Sequence, residues 1–294
     1  MDGPWTVRRL LEWTSPFLTR KSIDAPRLSA ELLLAHVLKI PRIGLYTDYD
    51  RRLTDPELTR YRDLVRRAAE HEPVAYLTGI AHFFNLEFEV SPDVLIPRPD
   101  TEVLVEQTIQ LLRAQVGLEA PRILDLCTGS ACIAAAVAHN VKTAVVTATD
   151  ISPAAVAVAR RNLQRLGLDQ RVIVETGDLY EPLNRMIDRA PFDFLLSNPP
   201  YIPSGQIESL DPNVRDYEPR SALDGGLDGL DFHRRILAGA PQRLNPAGHL
   251  FLEIAFDQGP AALNLATQIP ALEHPRIIKD YAGRDRVLTA RKKA

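Results

Sequence analysis

From Arg122 onward the chain alternates short apolar runs with amphipathic segments, and this alternation restricts the fold more than any other feature. RILDL (122–126), TAVVTATD (143–150), VIVETGD (172–178), FDFLLSNPP (192–200) and HLFLEIA (249–255) each read as a strand. The stretches 131–140, 153–166, 228–244 and 257–268 between and after them carry helical spacing, with Pro153 in a first turn. Strands separated by helices imply a mostly parallel sheet covered by helices. Two further runs, RIIKDYA (276–282) and RVLTARK (286–292), are joined by the tight turn Gly283-Arg284-Asp285. They are too close for a parallel crossover and should run antiparallel. The expected fold is α/β, with a seven-stranded mostly parallel sheet whose last strand pair is antiparallel.

At 294 residues the chain has room for about two domains. Residues 1–80 read as a small helical domain. Leu28, Leu32, Leu33, His36 and Val37 after Pro26 form one stripe. Asp55-Pro56-Glu57 opens a second helix with Leu58, Tyr61, Leu64, Val65 and Ala68 on one face. Arg60, Arg62, Arg66 and Arg67 lie mostly elsewhere on it, as a solvated face or a docking surface. HFFNLEFEV should place Phe84, Leu86, Phe88 and Val90 on one side of a strand, with Val94-Leu95-Ile96 returning after the turn Ser91-Pro92-Asp93. Residues 81–99 are thus a β-hairpin linker. Asp100 or Thr101 should cap a helix to about Gln115, opening the domain 100–294.

Composition excludes several partners. With 35 basic and 38 acidic residues the net charge is −3, which opposes a domain that coats nucleic acid by neutralising phosphates. Two cysteines, Cys127 and Cys132, cannot make a four-ligand zinc site, and no metal is expected. The longest purely apolar run, Ala131 to Ala138, is far short of a membrane span, and the N-terminal residues lack a signal peptide's pattern. The expectation is a soluble, reduced, cytoplasmic protein without direct contact to nucleic acid or membrane.

Ligands of open α/β sheets sit beyond the carboxyl ends of the strands. The first strand is followed by Cys127-Thr128-Gly129-Ser130-Ala131 and a helix start. Gly129 permits close backbone approach to a ligand, or simply an ordinary strand–helix turn. Neither a dinucleotide fingerprint nor a phosphate-binding Gly-Lys-Ser/Thr is present. Strand two ends at Asp150, where a carboxylate can accept from both ribose hydroxyls or cap the next helix. Strand three leads to Asp178 and Leu179, suited to an exocyclic adenine amine and to the ring, or to a capped turn. Together they describe an adenosyl ligand without a phosphate cradle, which S-adenosyl-L-methionine satisfies.

Strand four ends in Asn198-Pro199-Pro200-Tyr201, the most specific motif in the chain. Two prolines stiffen the strand end and hold the Asn198 amide and the Pro199 carbonyl in fixed directions. If the Asn198 oxygen faces the pocket, these are two acceptors for a planar NH₂ group, with Tyr201 against its flat face.

This motif after such a sheet resembles the amino-group methyltransferases. The resemblance covers nearly the whole chain. Pro73-Val-Ala-Tyr-Leu-Thr-Gly79, Leu95-Ile-Pro-Arg-Pro-Asp-Thr-Glu102, Asp125-Leu-Cys-Thr-Gly-Ser130, Tyr217-Glu-Pro219 with Ala222-Leu-Asp-Gly-Gly226, and Ala282-Gly-Arg-Asp-Arg-Val287 are similar to the release-factor glutamine methyltransferase family. The resemblance implies a Rossmann-like class I S-adenosylmethionine-dependent domain behind a helical domain and a hairpin. It implies methyl transfer to N5 of the glutamine in the Gly-Gly-Gln loop of peptide-chain release factors. It also implies that Cys127 to Ala131 form the methionine-side loop, that Asp150 binds ribose and Leu179 lies at adenine, and that Asn198 to Tyr201 hold the substrate glutamine. Ala131 departs from the family, which has glycine there, and is strained if that position needs φ > 0. A ribosomal-protein glutamine methyltransferase, an N6-adenine DNA methyltransferase and a non-catalytic cofactor-binding translation partner are the alternatives. Arg98 and Glu102 read as a structural ion pair at the domain junction or as a border of the pocket, and Glu218 and Asp224 as acids that cap and brace a long loop or serve its function. Arg284 and Arg286 read as a solvated turn, and the cysteines as small packed residues.

Overall fold

The computed structural model describes residues 4–115, 117–186 and 190–294. They divide into two compact units, Met1–Ile80 with Asp211–Tyr217, and Ala81–Leu210 with Glu218–Ala294.

The first unit is helical: α1 (Val7–Arg20), α2 (Pro26–Leu38), α3 (Gly44–Thr47), α4 (Asp55–Ala69) and α5 (Val74–Thr78). Thr6 caps α1 by accepting from the Arg9 amide, and Val7, Leu10, Leu11, Thr14 and Leu18 form its buried stripe. Thr54 and Glu57 close a reciprocal capping box on α4. Tyr61 of α4 is buried and donates to the Ala30 carbonyl of α2. The buried Glu31 is neutralised by Arg27 and Arg42 and accepts from the Tyr46 hydroxyl. Arg66 pairs with Asp63 and Glu70, and Arg67 with Glu72, so these two members of the arginine-rich face are tied within the unit. The later segment contributes α9 (Pro212–Arg215), and the Tyr217 hydroxyl donates to the Glu70 carbonyl.

The second unit begins with a two-stranded hairpin, β1 (Ile80–Phe83) and β2 (Leu86–Glu89). The sequence reading of one strand through Val90, returning at Val94, is corrected here. The chain turns at Phe84-Asn85, both left-handed at φ 49° and 61°, the signature of a two-residue type I′ hairpin. Glu102 accepts the Phe84 amide at 2.8 Å and holds that turn. It is therefore not the partner of Arg98.

A seven-stranded sheet follows: β3 (Arg122–Leu126), β4 (Val145–Asp150), β5 (Val172–Thr176), β6 (Phe192–Ser197), β7 (Leu244–Glu253), β8 (Leu272–Lys279) and β9 (Asp285–Lys292). Its order is β5-β4-β3-β6-β7-β9-β8. The first five are mutually parallel, and β9 is antiparallel to both β7 and β8. The chain winds outward from β3 through β4 to β5, then returns to β6 on the other flank of β3. The reversal leaves a crevice beyond the ends of β3 and β6. Helices α6 (Glu102–Ala114), α7 (Cys132–Asn140), α8 (Pro153–Arg165), α10 (Asp231–Arg243) and α11 (Gly259–Thr267) complete this unit. Ala134, Ala135, Ala136 and Ala138 of α7 are fully buried in the core, so small side chains bring this helix close to its neighbours. No helix among the described residues is long and apolar enough to cross a membrane.

Candidate active site

Register aligns the strand ends. Leu126 lies beside Thr149 on one side and Ser197 on the other, and Ser197 beside Leu252. The residues just beyond these ends, Cys127, Asp150 and Asn198, share one pocket in the second unit. Thr128, Gly129, Ser130, Asp178, Leu179 and Pro200 line the same pocket. Ala131, Pro199 and Tyr201 lie outside its wall: Ala131 and Pro199 are buried, and Tyr201 is half-buried.

The loop after β3 is folded by three left-handed residues, Cys127 (φ 58°), Gly129 (φ 55°) and Ala131 (φ 64°). Such conformations cost a non-glycine residue about 1–2 kcal/mol each, and here they recur at a binding loop. A side chain at Gly129 would meet nothing within 4 Å, so its absence leaves space open to the pocket. Ala131 adopts the strained conformation, with its methyl wholly inside the core. The Gly129 amide donates to Asp150 Oδ2 and the Ser152 amide to Asp150 Oδ1, both at 2.9 Å. Each carboxylate oxygen keeps a lone pair, matching the two hydroxyls of a ribose diol. Burial raises the Asp150 pKa above the ordinary range, against the two backbone hydrogen bonds. Asp178 pairs with Arg235, a partner the sequence did not reveal. Leu179 is left-handed at φ 47°, and its carbonyl accepts from Thr149 Oγ1. A diol acceptor, a backbone cradle and an aliphatic cover in one wall fit an adenosyl cofactor. Burial pushes the Cys132 thiol up to about 12 and the Cys127 thiol upward too, so both remain protonated packing groups.

The loop is anchored by Asn162 of α8. It accepts the Glu89 amide at 2.7 Å and donates to the Glu89 carbonyl at 3.0 Å and the Ser130 carbonyl at 3.1 Å. One buried amide thus clips hairpin, helix and loop together. On the other side of the crevice, Ser197 Oγ donates to the Leu126 carbonyl at 2.7 Å and locks β6 to β3.

Asn198 Nδ2 donates to Thr101 Oγ1 at 3.1 Å. Thr101 was expected as a possible helix cap, but makes no capping bond at the start of α6. Its hydroxyl oxygen serves instead as the acceptor for Asn198. The Tyr201 hydroxyl donates to Glu253 Oε1 at 3.2 Å. Glu253 is fully buried, which pushes its carboxyl up to about 7. The segment after Tyr201 is braced by the Leu-Asp-Gly-Gly stretch: Ile202 N donates to Leu223 O, and Gly225 N to Ile202 O. A side chain at Gly225 would strike the Tyr201 backbone at 2.7 Å. Asp224 accepts from Ser204 Oγ and the Gly226 amide, and Glu218 pairs with Arg98, so both acids act as braces. Arg286 is corrected from a solvated turn: it is buried, and pairs with Asp100 at 2.9 Å and Asp280 at 3.4 Å. Arg98 borders the pocket, and the rest of that wall, Asp93, Val94, Leu95, Pro97 and Thr101, was not read as pocket lining from the sequence. No group of His, Cys, Asp and Glu among the described residues could hold a metal.

Two family models match, PrmC N-terminal domain over residues 9–79 and Methyltransferase small domain over residues 101–210. A release factor glutamine methyltransferase of Geobacter sulfurreducens is 45% identical, over 89% of this chain and 88% of its own. One of Rhodopirellula baltica is 40% identical, over 99% of this chain and 98% of its own. A solved methyltransferase from Pyrococcus furiosus shares the fold at 20% identity, with a TM-score of 0.52 over 78% of this chain and 99% of that one. The chain is accordingly an enzyme of the class that takes its methyl group from S-adenosyl-L-methionine. With relatives this similar over almost its full length, the chain belongs to the release factor glutamine methyltransferase family.

Proposed function

We propose that this methyltransferase acts on N5 of the glutamine in the Gly-Gly-Gln loop of peptide-chain release factors, in the cytoplasm where those factors work. The observation that most supports an amide substrate is the commitment of Asn198 Nδ2 to Thr101 at a pocket that also presents Asp150 and Gly129. With its nitrogen engaged, Asn198 offers its oxygen as an acceptor.

Cys127, Thr128, Gly129 and Ser130 would hold the methionine end of the cofactor, Asp150 the ribose hydroxyls, and Asp178 and Leu179 the adenine. S-Adenosyl-L-methionine supplies an electrophilic methyl group on a positively charged sulfur. The chain's own task is to make an amide nitrogen attack it. That nitrogen is a poor nucleophile because its lone pair is shared with its carbonyl. Asn198 Oδ1 and the Pro199 carbonyl accept its two N–H bonds, turn the lone pair toward the methyl and stabilise the positive charge that grows on nitrogen. Pro200 and Tyr201 keep those acceptors rigid. No general base is needed, because an N-alkylated amide cation loses its proton readily to water. Residues 1–80 serve as the docking domain for the folded factor, 81–99 as the hairpin linker and 100–294 as the transferring domain.

The test is incubation with S-adenosyl-L-methionine and, separately, a release factor, a glutamine-bearing ribosomal protein and duplex DNA, with peptide mass spectrometry to place the methyl. One methyl on the Gly-Gly-Gln glutamine is expected; a methyl only on the ribosomal protein or on adenine would overturn the substrate assignment. Asn198→Ala should lower kcat by at least ~10²-fold, as for one preorganised polar contact. Near-wild-type turnover would refute its role.

A further inference from the structure

We propose that Gln258 is a positioning residue for methyl transfer: its buried amide ties the Tyr201 carbonyl to the loop after the reactive motif and so fixes where the Asn198 and Pro199 acceptors point. The proposal rests on the role given above to those two acceptors. Gln258 lies between β7 and α11, and its backbone carbonyl accepts the Ala262 amide at 2.9 Å as that helix begins. The residue is buried and stands outside the pocket wall. Its Oε1 accepts the Ala255 amide at 3.0 Å. Its Nε2 donates to the Tyr201 carbonyl at 2.9 Å and to the Gly229 carbonyl at 3.3 Å. One amide thus joins three segments: the reactive motif, the loop 223–229 and the turn that leaves β7.

Donor and acceptor counting fixes the orientation of this amide. Its nitrogen carries two N–H donors, and its oxygen only accepts. Turned over, it would set its oxygen against two carbonyl oxygens and its NH₂ against a backbone N–H. Both donors are therefore committed, one to each carbonyl, and Tyr201 and Gly229 are held at a set spacing. The surroundings are closed as well. A side chain at Gly229 would come within 2.2 Å of the Tyr201 oxygen and 2.5 Å of Gln258 Nε2. The Tyr201 hydroxyl is anchored separately, at Glu253. Tyr201 is thus held at two points, its carbonyl and its ring.

The path from this tie to the substrate is short and stiff. The Pro199 carbonyl stands two residues before the Tyr201 carbonyl, and proline rings fix φ at both Pro199 and Pro200. A shift at Tyr201 is therefore passed back to the Pro199 carbonyl and the Asn198 amide rather than absorbed between them. The substrate nitrogen must meet the cofactor methyl in line, and a misplacement of about 1 Å costs about 10²-fold in rate. Since Gln258 lies outside the pocket, its loss should fall on turnover rather than on binding.

The test uses the full chain with whole release factor as substrate. Gln258→Met keeps the length and removes the amide. Its kcat should fall about 10- to 100-fold, while KM for the factor and affinity for S-adenosylhomocysteine by calorimetry stay within about threefold. Gln258→Glu keeps the acceptor for the Ala255 amide but turns a carboxylate toward two carbonyls, so near pH 8 it should lose about as much. Its neutral form has one O–H to give to the Tyr201 carbonyl, and burial raises a carboxyl's pKa. The ratio of Gln258→Glu to wild-type kcat should therefore rise by about threefold or more between about pH 8 and 6. The charged groups around the tie are common to both proteins, so their titrations cancel in that ratio: Asp257 beside it, Glu253 of β7, Asp285 of β9 against Gly259, and Asp228 and Asp231 with Arg234 beside Gly229. A packing role would leave the ratio flat. If the Gln258 variants do not fold, Gly229→Ala, which crowds the same two atoms, decides by the same kcat loss at unchanged KM. Near-wild-type kcat in Gln258→Met or Gly229→Ala, a loss carried by KM alone, or a flat ratio for Gln258→Glu overturns the proposal. If Asn198→Ala is impaired while Gln258→Met is not, only the tie fails. If Asn198→Ala is fully active, the reading beneath it fails first.

Discussion

Asn162→Ala should weaken both the fold and the cofactor site, and the size of the effect follows from three hydrogen bonds. Asn162 is unexposed and binds Glu89 through both its amide groups and Ser130 through its nitrogen. Each bond is worth about 1 kcal/mol net, and leaving a buried carbonyl unpaired costs about 1–3 kcal/mol. Ser130 is 2% exposed, so water cannot easily replace the lost donor. A total near 3 kcal/mol corresponds to a fall in Tm of roughly 6–12 °C for a domain of this size. Since the Ser130 carbonyl is also released, affinity for S-adenosylhomocysteine should drop by roughly fivefold or more, from about 1 kcal/mol of lost preorganisation. Calorimetric melting and isothermal titration measure the two effects. Asn162→Asp keeps the acceptor for the Glu89 amide but loses both donors and buries a charge, so it should be no better at pH 8. A Tm within 2 °C of wild type in Asn162→Ala, with unchanged affinity, would refute the clip.

Two further outcomes are expected. Ala131→Gly relieves about 1–2 kcal/mol of left-handed strain, but loosens the unfolded chain by about 0.5–1 kcal/mol and removes a buried methyl worth about 0.8 kcal/mol. The sum is close to zero, so Tm should move by less than about 3 °C, and a tenfold change in S-adenosylhomocysteine affinity would show that the methyl shapes the loop. Asp125 is wholly buried, and its carboxyl is pushed from 3.8 up to about 7. Between those values the folded state holds a proton that the unfolded chain releases. Its stabilising contribution is thus complete below 3.8 and declines as pH rises toward 7. His233, lowered from 6.5 to about 4, has the opposite sign over that range, so the comparison must be with a variant. Relative to wild type, Asp125→Asn should gain up to about 1.4 kcal/mol per pH unit between roughly pH 5 and 7. Parallel pH profiles from denaturant titration would contradict this.

The strand ends, the cofactor loop and the reactive motif were readable because each is local: an apolar run, then the residues that leave it. The antiparallel closing strands followed from a turn too short for a crossover. What escaped was everything that depends on contacts distant in sequence. Thr101 reads as a helix cap, since capping is what threonine before a helix usually does, and only the packed fold brings it to Asn198, 97 residues on. Asn162 sits in an unremarkable stretch of α8, and its bonds to Glu89 span 73 residues. The hairpin was misplaced because Phe84 is an unusual occupant of a left-handed turn, and period-two hydrophobicity runs straight through it. Glu253 did leave a trace. An acid closing the apolar run Leu250-Phe251-Leu252 parallels Asp125 within RILDL.

That parallel extends to the three-dimensional arrangement. β3 and β7 flank β6, the strand that ends in the reactive motif. Each flanking strand carries one fully buried carboxyl near its carboxyl end, Asp125 on one side and Glu253 on the other. Each accepts from a hydroxyl, Thr128 Oγ1 at 2.6 Å for Asp125 and the Tyr201 hydroxyl at 3.2 Å for Glu253. The hydroxyl at Asp125 belongs to the cofactor loop, and the one at Glu253 to the reactive motif. Burying two carboxyls costs the fold stability near neutral pH, because desolvation opposes their charge. A hydrophobic pair would fill the same space without that cost. It would leave the Thr128 and Tyr201 hydroxyls without the acceptors that fix them. A carboxyl at the end of each flanking strand supplies that acceptor. The arrangement thus gives up stability on both sides of β6 to fix hydrogen-bond direction where a methyl group must meet a weak nucleophile.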